Sequence, residues 1–358
     1  MNVTITGGGT GGHLFPAIAI AQEFQRRDPV HAIQFIGSAR GLEAQVLPRA
    51  GYQLQTVNIK GFAGKRIVQK IESLLSIIPA ILRACRLLRA FRSEIVIGVG
   101  GYISFPAVIA GRMLGLPVAV HEQNSVPGLS NRLLGFWAER VFVTYAESMS
   151  CFPARKTIHS GLPLRSMPAV DPNEDRDREM HTVCVLGGSQ GAREINRAVI
   201  EALPIFENSG MRLRFIHQTG TQDFESVADA YRHHSVQAEV APFFDDILAR
   251  FIASDLVVAR AGAGTLAELA LCGRASILIP YSFAAGDHQK KNALMFVGQG
   301  AAQLLESHEL NSAVLAQQVI ALIGAPERLR EMSQQARLLA HPQAAQIIVD
   351  ECCRMAAA

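Results

Sequence analysis

The feature that most constrains the fold of this chain is a local unit that occurs twice. Val3-Thr4-Ile5-Thr6 runs into Gly7 to Gly12 and then into an apolar helical stretch, Leu14 to Phe24. Val183-Cys184-Val185-Leu186 runs into Gly187 to Gly191 and then into a helical stretch that reaches Ile200. Each is a strand, a glycine loop and a helix, the opening of a parallel sheet covered by helices. A fainter pair follows in the same order: Ser93-Glu94-Ile95-Val96-Ile97 before Gly100-Gly101, and Ser254-Asp255-Leu256-Val257-Val258 before Gly262-Ala263-Gly264. A helix and another short strand follow each, Pro117 to Val120 and Ser276 to Ile279. The repetition predicts an α/β protein of two doubly wound, Rossmann-like domains rather than one large sheet. Its 358 residues supply both with a core. Open parallel sheets bind ligands beyond the carboxyl ends of their strands, so the two domains are expected to face a cleft lined by the glycine loops. The polar run Pro168 to Glu179 reads as a surface loop near the junction, with the hinge near Gly161-Leu162-Pro163.

Composition narrows the function classes. With 49% hydrophobic and 18% charged residues the chain lies far from the disordered regime. A formal net charge of +3 is too small to argue for nucleic acid, and none is expected as a partner. The six cysteines show no C-x-x-C spacing and no partnering histidines, so neither a zinc site nor a disulfide framework is expected. No basic segment and apolar run precede Val3, which argues against a signal peptide and for a protein that stays inside the cell. The longest uncharged stretch, Ile95 to Gly111, is broken by glycines and Pro106 and falls short of the roughly 20 residues of a spanning helix.

Glycine loops at strand ends let a ligand approach the backbone, and the helix that follows offers free N–H groups and partial positive charge to phosphate. One such loop is equally well a tight turn; four in one chain favour a phosphorylated ligand. The first also fits G-x-G-x-x-G as Gly7, Gly9 and Gly12, which raises an NAD-dependent oxidoreductase. That fingerprint expects an acid at the end of the second strand, whereas the run Ala32 to Ile36 ends in Gly37-Ser38. His13, at the mouth of the first helix, is of the type and in the place to act as a base near neutral pH.

Taken together, Gly8-Gly9-Thr10-Gly11-Gly12-His13, Gly100-Gly101-Tyr102, His121-Glu122-Gln123-Asn124, Gly187-Gly188-Ser189-Gln190-Gly191-Ala192, and Asp287-His288-Gln289 with Asn292-Ala293 are a specific set. The chain resembles the MurG family of bacterial glycosyltransferases over nearly its whole length. The resemblance implies the glycosyltransferase-B fold and inverting transfer of N-acetylglucosamine from UDP-N-acetylglucosamine to the 4-hydroxyl of a polyprenyl-diphospho-muramoylpentapeptide in peptidoglycan synthesis. It implies an acceptor and membrane domain at 1–161, a donor domain at 162–337, and a C-terminal helix at about 338–358 that packs back onto the first domain. It places Ser189 on the donor phosphates, Ala263, Gly264, Thr265, Leu266 and Ala267 at the helix end facing the diphosphate, and Glu268 on the ribose hydroxyls. Arg165 and the segment at Phe244 line the uracil side, Gln289 and Asn124 contact the sugar, and Thr10, Gly11 and Gly12 join the donor-binding set. His13 is the first candidate base and Glu122 the second. No obligatory cofactor or metal is implied; the partners are the two substrates, an anionic membrane surface and cell-wall synthesis proteins, and the location is the cytoplasmic face of the cell membrane, peripherally. Ala261-Gly262-Ala263 replaces the family's usual Ser-Gly-Ala, and Phe244 stands where a smaller aliphatic is common.

Each assignment has a plainer rival. Glu268 can serve the helix dipole, Ser189 can be an N-cap, Arg165 a surface charge, and His121 or Glu122 a structural hydrogen bond rather than a partner of His13 or the acceptor. Asp175-Arg176-Asp177 matches a D-x-D metal motif but falls in the charged loop and reads as solvated. Positive charge concentrates at Gly64 to Arg92, where Ile71, Leu74, Ile78, Leu82 and Cys85 recur at helical spacing beside Lys65, Arg66, Lys70, Arg83, Arg86, Arg89 and Arg92. Pro79 is expected to kink or divide this segment. A helix docked on the sheet would also have an apolar face, but the scarcity of acids points to an anionic membrane, with Leu74, Leu75, Ile78, Arg83, Arg86 and Arg89 as its contacts. The rival functions are the oxidoreductase, a UDP-sugar isomerase on a similar fold, and a noncatalytic membrane-recruited module.

Overall fold

The computed structural model describes residues 1–39, 41–59, 76–164, 180–188, 190–284 and 287–358. Leu74, Leu75, Arg165, Ser189 and the run Pro168 to Glu179 lie outside them. The chain divides into two compact units, Met1–Arg165 together with His341–Ala358, and Ser166–Ala340.

The first unit is a parallel sheet built from β1 (Asn2–Thr6), β2 (Ala32–Gly37), β3 (Gln53–Thr56), β4 (Ile95–Gly98), β5 (Val118–Glu122), β6 (Arg140–Val143) and β7 (Thr157–His159), in the order β3-β2-β1-β4-β5-β6-β7. The second comprises β8 (His181–Leu186), β9 (Leu213–Gln218), β10 (Gln237–Ala241), β11 (Leu256–Ala259), β12 (Ser276–Leu278) and β13 (Ala302–Leu304), in the order β10-β9-β8-β11-β12-β13. Both follow one doubly wound scheme, and both switch direction beside their first strand, between β1 and β4 and between β8 and β11. The glycine loops found in the sequence are the four connections that leave these strands.

The strands are buried on both faces because helices cover both. Val3, Ile5, Ile95 and Ile97 pack with Leu14, Ile20 and Phe24 of the helix Gly11–Arg27 on one side. Val96, Val118, Val120 and Val141 pack with Ala84, Leu88, Val108 and Leu134 on the other, beneath the helices Ile77–Phe91, Ser104–Met113 and Leu129–Trp137. Pro79 lies in the first turn of the helix Ile77–Phe91, where its missing N–H would have no partner, so it marks a helix start; residues 60–75 before it lie outside the described residues.

The last helix, Ala344–Ala357, belongs to the first unit, to whose core it gives Ile348, Val349 and Cys352. Arg27 ion-pairs with Asp350 and donates to the Gln346 carbonyl at 3.0 Å, and Arg140 Nε donates to Glu351 Oε1 at 2.5 Å.

Candidate functional site

In the first unit the loops after β1 and β4 need glycine because they pack on each other. A Cβ on Gly7 would stand 2.5 Å from Val99 Cγ2, and one on Gly101, whose φ is +78°, would stand 3.0 Å from the Gly8 carbonyl oxygen. The interior of the first loop is filled. Glu43, fully buried at the start of the helix Glu43–Arg49, accepts from the Gly9 N–H through Oε2 and from the Ser38 N–H through Oε1, both at 2.9 Å. A Cβ on Gly8 would meet this carboxyl group at 2.5 Å. The turn in which a dinucleotide would rest its pyrophosphate therefore holds an internal carboxylate, and the NAD reading loses that turn as well as the missing ribose acid. Sequence inspection passed over Glu43, although it is the first acid after the glycine end of β2.

His13 sits half-buried in the first turn of the helix Gly11–Arg27, beyond Thr10, Gly11 and Gly12. Thr10 makes no side-chain cap, its carbonyl accepts from the N–H groups of His13 and Leu14, and the turn has no acid. The imidazole lies against Gly100 and bonds through Nδ1 to Gln123 Oε1 at 2.9 Å. Behind it, His121 is fully buried and burial pushes its pKa down to about 4, which keeps the ring neutral.

Glu122, the second candidate base, is 1% exposed and surrounded by donors. Oε1 accepts from the Asn124 N–H at 2.9 Å, and Oε2 from Asn131 Nδ2 at 2.9 Å and the Gly128 N–H at 3.2 Å. These bonds make it the post that ties residues 124–128 and the helix Leu129–Trp137 to the end of β5. Asn124 is half-buried, with its carbonyl accepting from Ser148 Oγ at 2.9 Å.

In the second unit the helix Ala263–Cys272 starts openly. Its N-cap is Gly262, no side chain caps it, no acid lies in its first turn, and a Cβ on Gly264 would meet nothing within 4 Å. Thr265, Ala267 and Glu268 are half-buried, whereas the Leu266 side chain is in the core, so any ligand contact at Leu266 is through the main chain. Phe244 is likewise a core residue, with the Arg250 guanidinium 5.0 Å from its ring and its N–H donating to Gln218 Oε1 at 2.8 Å. The exposed aromatic of that segment is Phe243. Gln289 Oε1 accepts from the Tyr281 N–H at 3.0 Å, tying the start of the helix His288–Gly298 to the loop after β12.

Two residues the sequence did not single out organise these loops. Gln218, at the end of β9, donates to the Gly188 carbonyl at 3.0 Å while accepting from Phe244, and so joins the loop after β8 to the segment after β10. Arg260, buried just before Gly262, pairs with Glu194 at 2.5 Å, donates to the carbonyls of Ile279 and Pro280 at 3.2 Å, and lies over the Tyr281 ring. Their signal was a polar residue in the first position after a buried strand or at its end.

The expected membrane segment divides. Cys85 turns inward with Ala80, Ala84 and Leu88, while Ile78 and Leu82 face out beside Arg83, Arg86 and Arg89. Arg83 is partly committed, since its Nε–H donates to the Thr56 carbonyl at 2.6 Å. In the same layer the helix Leu129–Trp137 exposes Leu129, Leu133, Phe136 (72%) and Trp137 (55%) on one side. Beside its end are Arg112, Arg155 and Lys156, whose ammonium is pushed below its ordinary value by burial and by the two arginines. The spacing i, i+4, i+7, i+8 is legible in the sequence, but these residues were not singled out there. No described helix is long and apolar enough to cross a membrane. No cluster that could hold a metal occurs among the described residues.

Against known proteins, the glycosyltransferase family 28 N-terminal domain matches residues 3–143 and the family 28 C-terminal domain matches residues 182–348. A protein of Geotalea uraniireducens is 42% identical, covering 99% of this chain and 98% of its own length. One of Thermodesulfovibrio yellowstonii is 41% identical, covering 98% and 97%. Both are named UDP-N-acetylglucosamine–N-acetylmuramyl-(pentapeptide) pyrophosphoryl-undecaprenol N-acetylglucosamine transferase. The crystal structure of MurG from Acinetobacter baumannii aligns with a TM-score of 0.79 at 28% identity over 99% of both chains. A UDP-N-acetylglucosamine 2-epimerase from Neisseria meningitidis aligns at 0.66 over 99% and 100%, but at 14% identity this speaks for the fold alone.

Proposed function

The chain belongs to glycosyltransferase family 28, among the N-acetylglucosaminyltransferases of peptidoglycan synthesis, and from that premise we propose how its two units divide the work. The enzyme transfers N-acetylglucosamine from UDP-N-acetylglucosamine to the lipid-linked muramoyl-pentapeptide; neither the oxidoreductase nor the isomerase reading has support.

In our reading the donor binds the second unit. The open start of the helix Ala263–Cys272 supplies N–H groups and partial positive charge to the diphosphate, and Glu268 accepts from the ribose hydroxyls. Arg260 and Gln218 hold the loops that present these groups. As the bond to the sugar breaks, negative charge grows on the leaving UDP, and donors already oriented toward it stabilise that change without an obligatory cation.

The acceptor is handled by the first unit. His13 removes the proton of the attacking 4-hydroxyl, the new bond forms at the anomeric carbon with inversion, and UDP leaves with the electron pair of the broken bond. Glu122 acts through structure, by holding the loop that carries Asn124. The outward side of the helices Ile77–Phe91 and Leu129–Trp137 meets an anionic membrane, apolar side chains entering the interface and arginines facing lipid phosphates. That makes the protein peripheral at the cytoplasmic face, where its acceptor resides.

The observation that carries the reading is the contrast between two glycine loops. Both lead into uncapped helices, but the first is closed by the Glu43 carboxylate beside a histidine, whereas a Cβ on Gly264 at the second would meet nothing within 4 Å. The experiment mixes the purified protein with UDP-N-acetylglucosamine and a polyprenyl-diphospho-muramoylpentapeptide and analyses the products. The expected outcome is one UDP and one β-linked disaccharide lipid per turnover, with His13→Ala slowed by about 10² to 10⁴. Conversion of the UDP-sugar without acceptor would overturn it.

A further inference from the structure

We propose that Gln123 is a positioning residue that fixes which nitrogen of His13 carries the proton, making Nε2 the basic atom; this rests on the reading of His13 as the base. The amide's orientation is decided by its surroundings. Gln123 Nε2 lies 2.7 Å from the Val99 carbonyl oxygen, which can only accept, so this end must be the NH2 group. Its other hydrogen points to His121 Nδ1 at 3.0 Å and, more distantly, to the His121 carbonyl at 3.3 Å. His121 Nδ1 therefore accepts, and its proton sits on Nε2, 3.1 Å from the Gly161 carbonyl. A carbonyl oxygen thus stands at each end where the scheme requires an acceptor. With its NH2 group so committed, Gln123 turns Oε1 to His13 and accepts from Nδ1 at 2.9 Å. A neutral imidazole has one proton, so the lone pair of His13 is on Nε2.

The row is held where it needs to be fixed. His121 and Gln123 are buried within the unit, and the low pKa of His121 keeps its ring neutral across the neutral range while the hydrogen bonds to Gln123 and Gly161 select its tautomer. Gly100, with φ of +95°, closes over the pair: a Cβ there would lie 2.8 Å from His13 Nδ1 and 3.1 Å from Gln123 Oε1. Charge on His13 also disfavours a proton on His121, after burial.

In the reaction the acceptor oxygen bonds to the anomeric carbon, the bond from that carbon to the diphosphate oxygen breaks with its electrons leaving on UDP, and the hydroxyl proton passes to Nε2. The imidazolium so formed still donates Nδ1–H to Gln123, so nothing has to turn. A neutral amide orients the ring without placing a negative charge beside it, as a carboxylate would.

Two-bond proton–nitrogen correlation spectra of the full chain with labelled histidine read the tautomer, the His13 signals being assigned by their loss in His13→Ala. The parent is expected in the Nδ1–H form. Gln123→Leu is expected as a mixture of tautomers, with kcat down about 10- to 100-fold and KM for UDP-N-acetylglucosamine nearly unchanged. Gln123→Glu keeps an acceptor toward His13 and moves the acid limb of the kcat/KM profile upward by about one pH unit. An Nε2–H form in the parent, or a parental pH profile in folded Gln123→Glu, overturns the proposal. Near-parental turnover of His13→Ala instead refutes the base reading beneath it, while the tautomer is still read directly.

Discussion

Replacing Glu43 with alanine tests whether the first glycine loop is a closed structural turn or a vacant phosphate cradle. In the parent, two backbone N–H groups end on its carboxylate, Gly9 and Ser38, each at 2.9 Å. Alanine removes both acceptors from a fully buried place, and each donor left without one costs about 1–3 kcal/mol. Water entering the vacated space recovers part of this, so the loss is about 3 kcal/mol. For a unit of this size that lowers Tm by about 6–12 °C. Glu43→Gln keeps the shape and one acceptor but turns an NH2 group toward the other N–H, and is expected between the two. Calorimetry of the full chain with and without UDP reads the effect, since the transition that UDP does not raise belongs to the first unit. A Glu43→Ala protein that melts within about 2 °C of its parent refutes the reasoning and returns the loop as a phosphate site.

Glu268→Gln is expected to weaken UDP binding by roughly 10- to 100-fold in calorimetry, because charge-assisted bonds to the ribose are worth about 1.5–3 kcal/mol; unchanged affinity in a folded variant removes Glu268 from the ribose. Acid is expected to destabilise the first unit through His121. Its folded pKa lies at about 4 against an ordinary 6.5, so the unfolded chain binds the extra proton and stability is lost as pH falls through that window, by about 3 kcal/mol in all. Urea midpoints at pH 7 and pH 5 measure this, and His121→Asn should flatten the difference. Phe136→Ser with Trp137→Ser is expected to reduce binding to anionic vesicles about 10- to 100-fold at low and high salt alike. Arg83, Arg86 and Arg89 to Gln reduces it only at low salt, Arg83 contributing least because Thr56 already holds it. If both variants sediment like the parent, this layer is not the membrane face.

The repeated architecture was legible because periodicity and glycine placement are local. Strands such as Val183 to Leu186 have to be buried on both faces, and a glycine run at a strand end permits few geometries. The position of His13 at a helix mouth was legible for the same reason. What joins separate segments was not. Nothing in the neighbourhood of Glu43 says that its carboxylate reaches Gly9, since that depends on how the helix Glu43–Arg49 crosses the sheet. For Glu122 the sequence left a base and a structural hydrogen bond side by side, because only packing surrounds its carboxylate with Asn124, Gly128 and Asn131. Arg260 and Gln218 are bridges between loops far apart in sequence, which composition and spacing do not encode. The apolar side of Leu129–Trp137 was not singled out, because amphipathic spacing says that one side differs, not which side faces water.

The return of the last helix to the first unit sets an order of assembly. During synthesis the segment with His13 and Gln123 emerges first, yet the surface of the helix Gly11–Arg27 stays uncovered until Ile348, Val349 and Cys352 have left the ribosome. The second unit, a continuous stretch, has by then been made in full. The half that appears first is therefore finished last. A stop codon near residue 340 would damage the beginning of the protein, not its end, and a fragment ending at the unit boundary would expose the apolar side of its first helix.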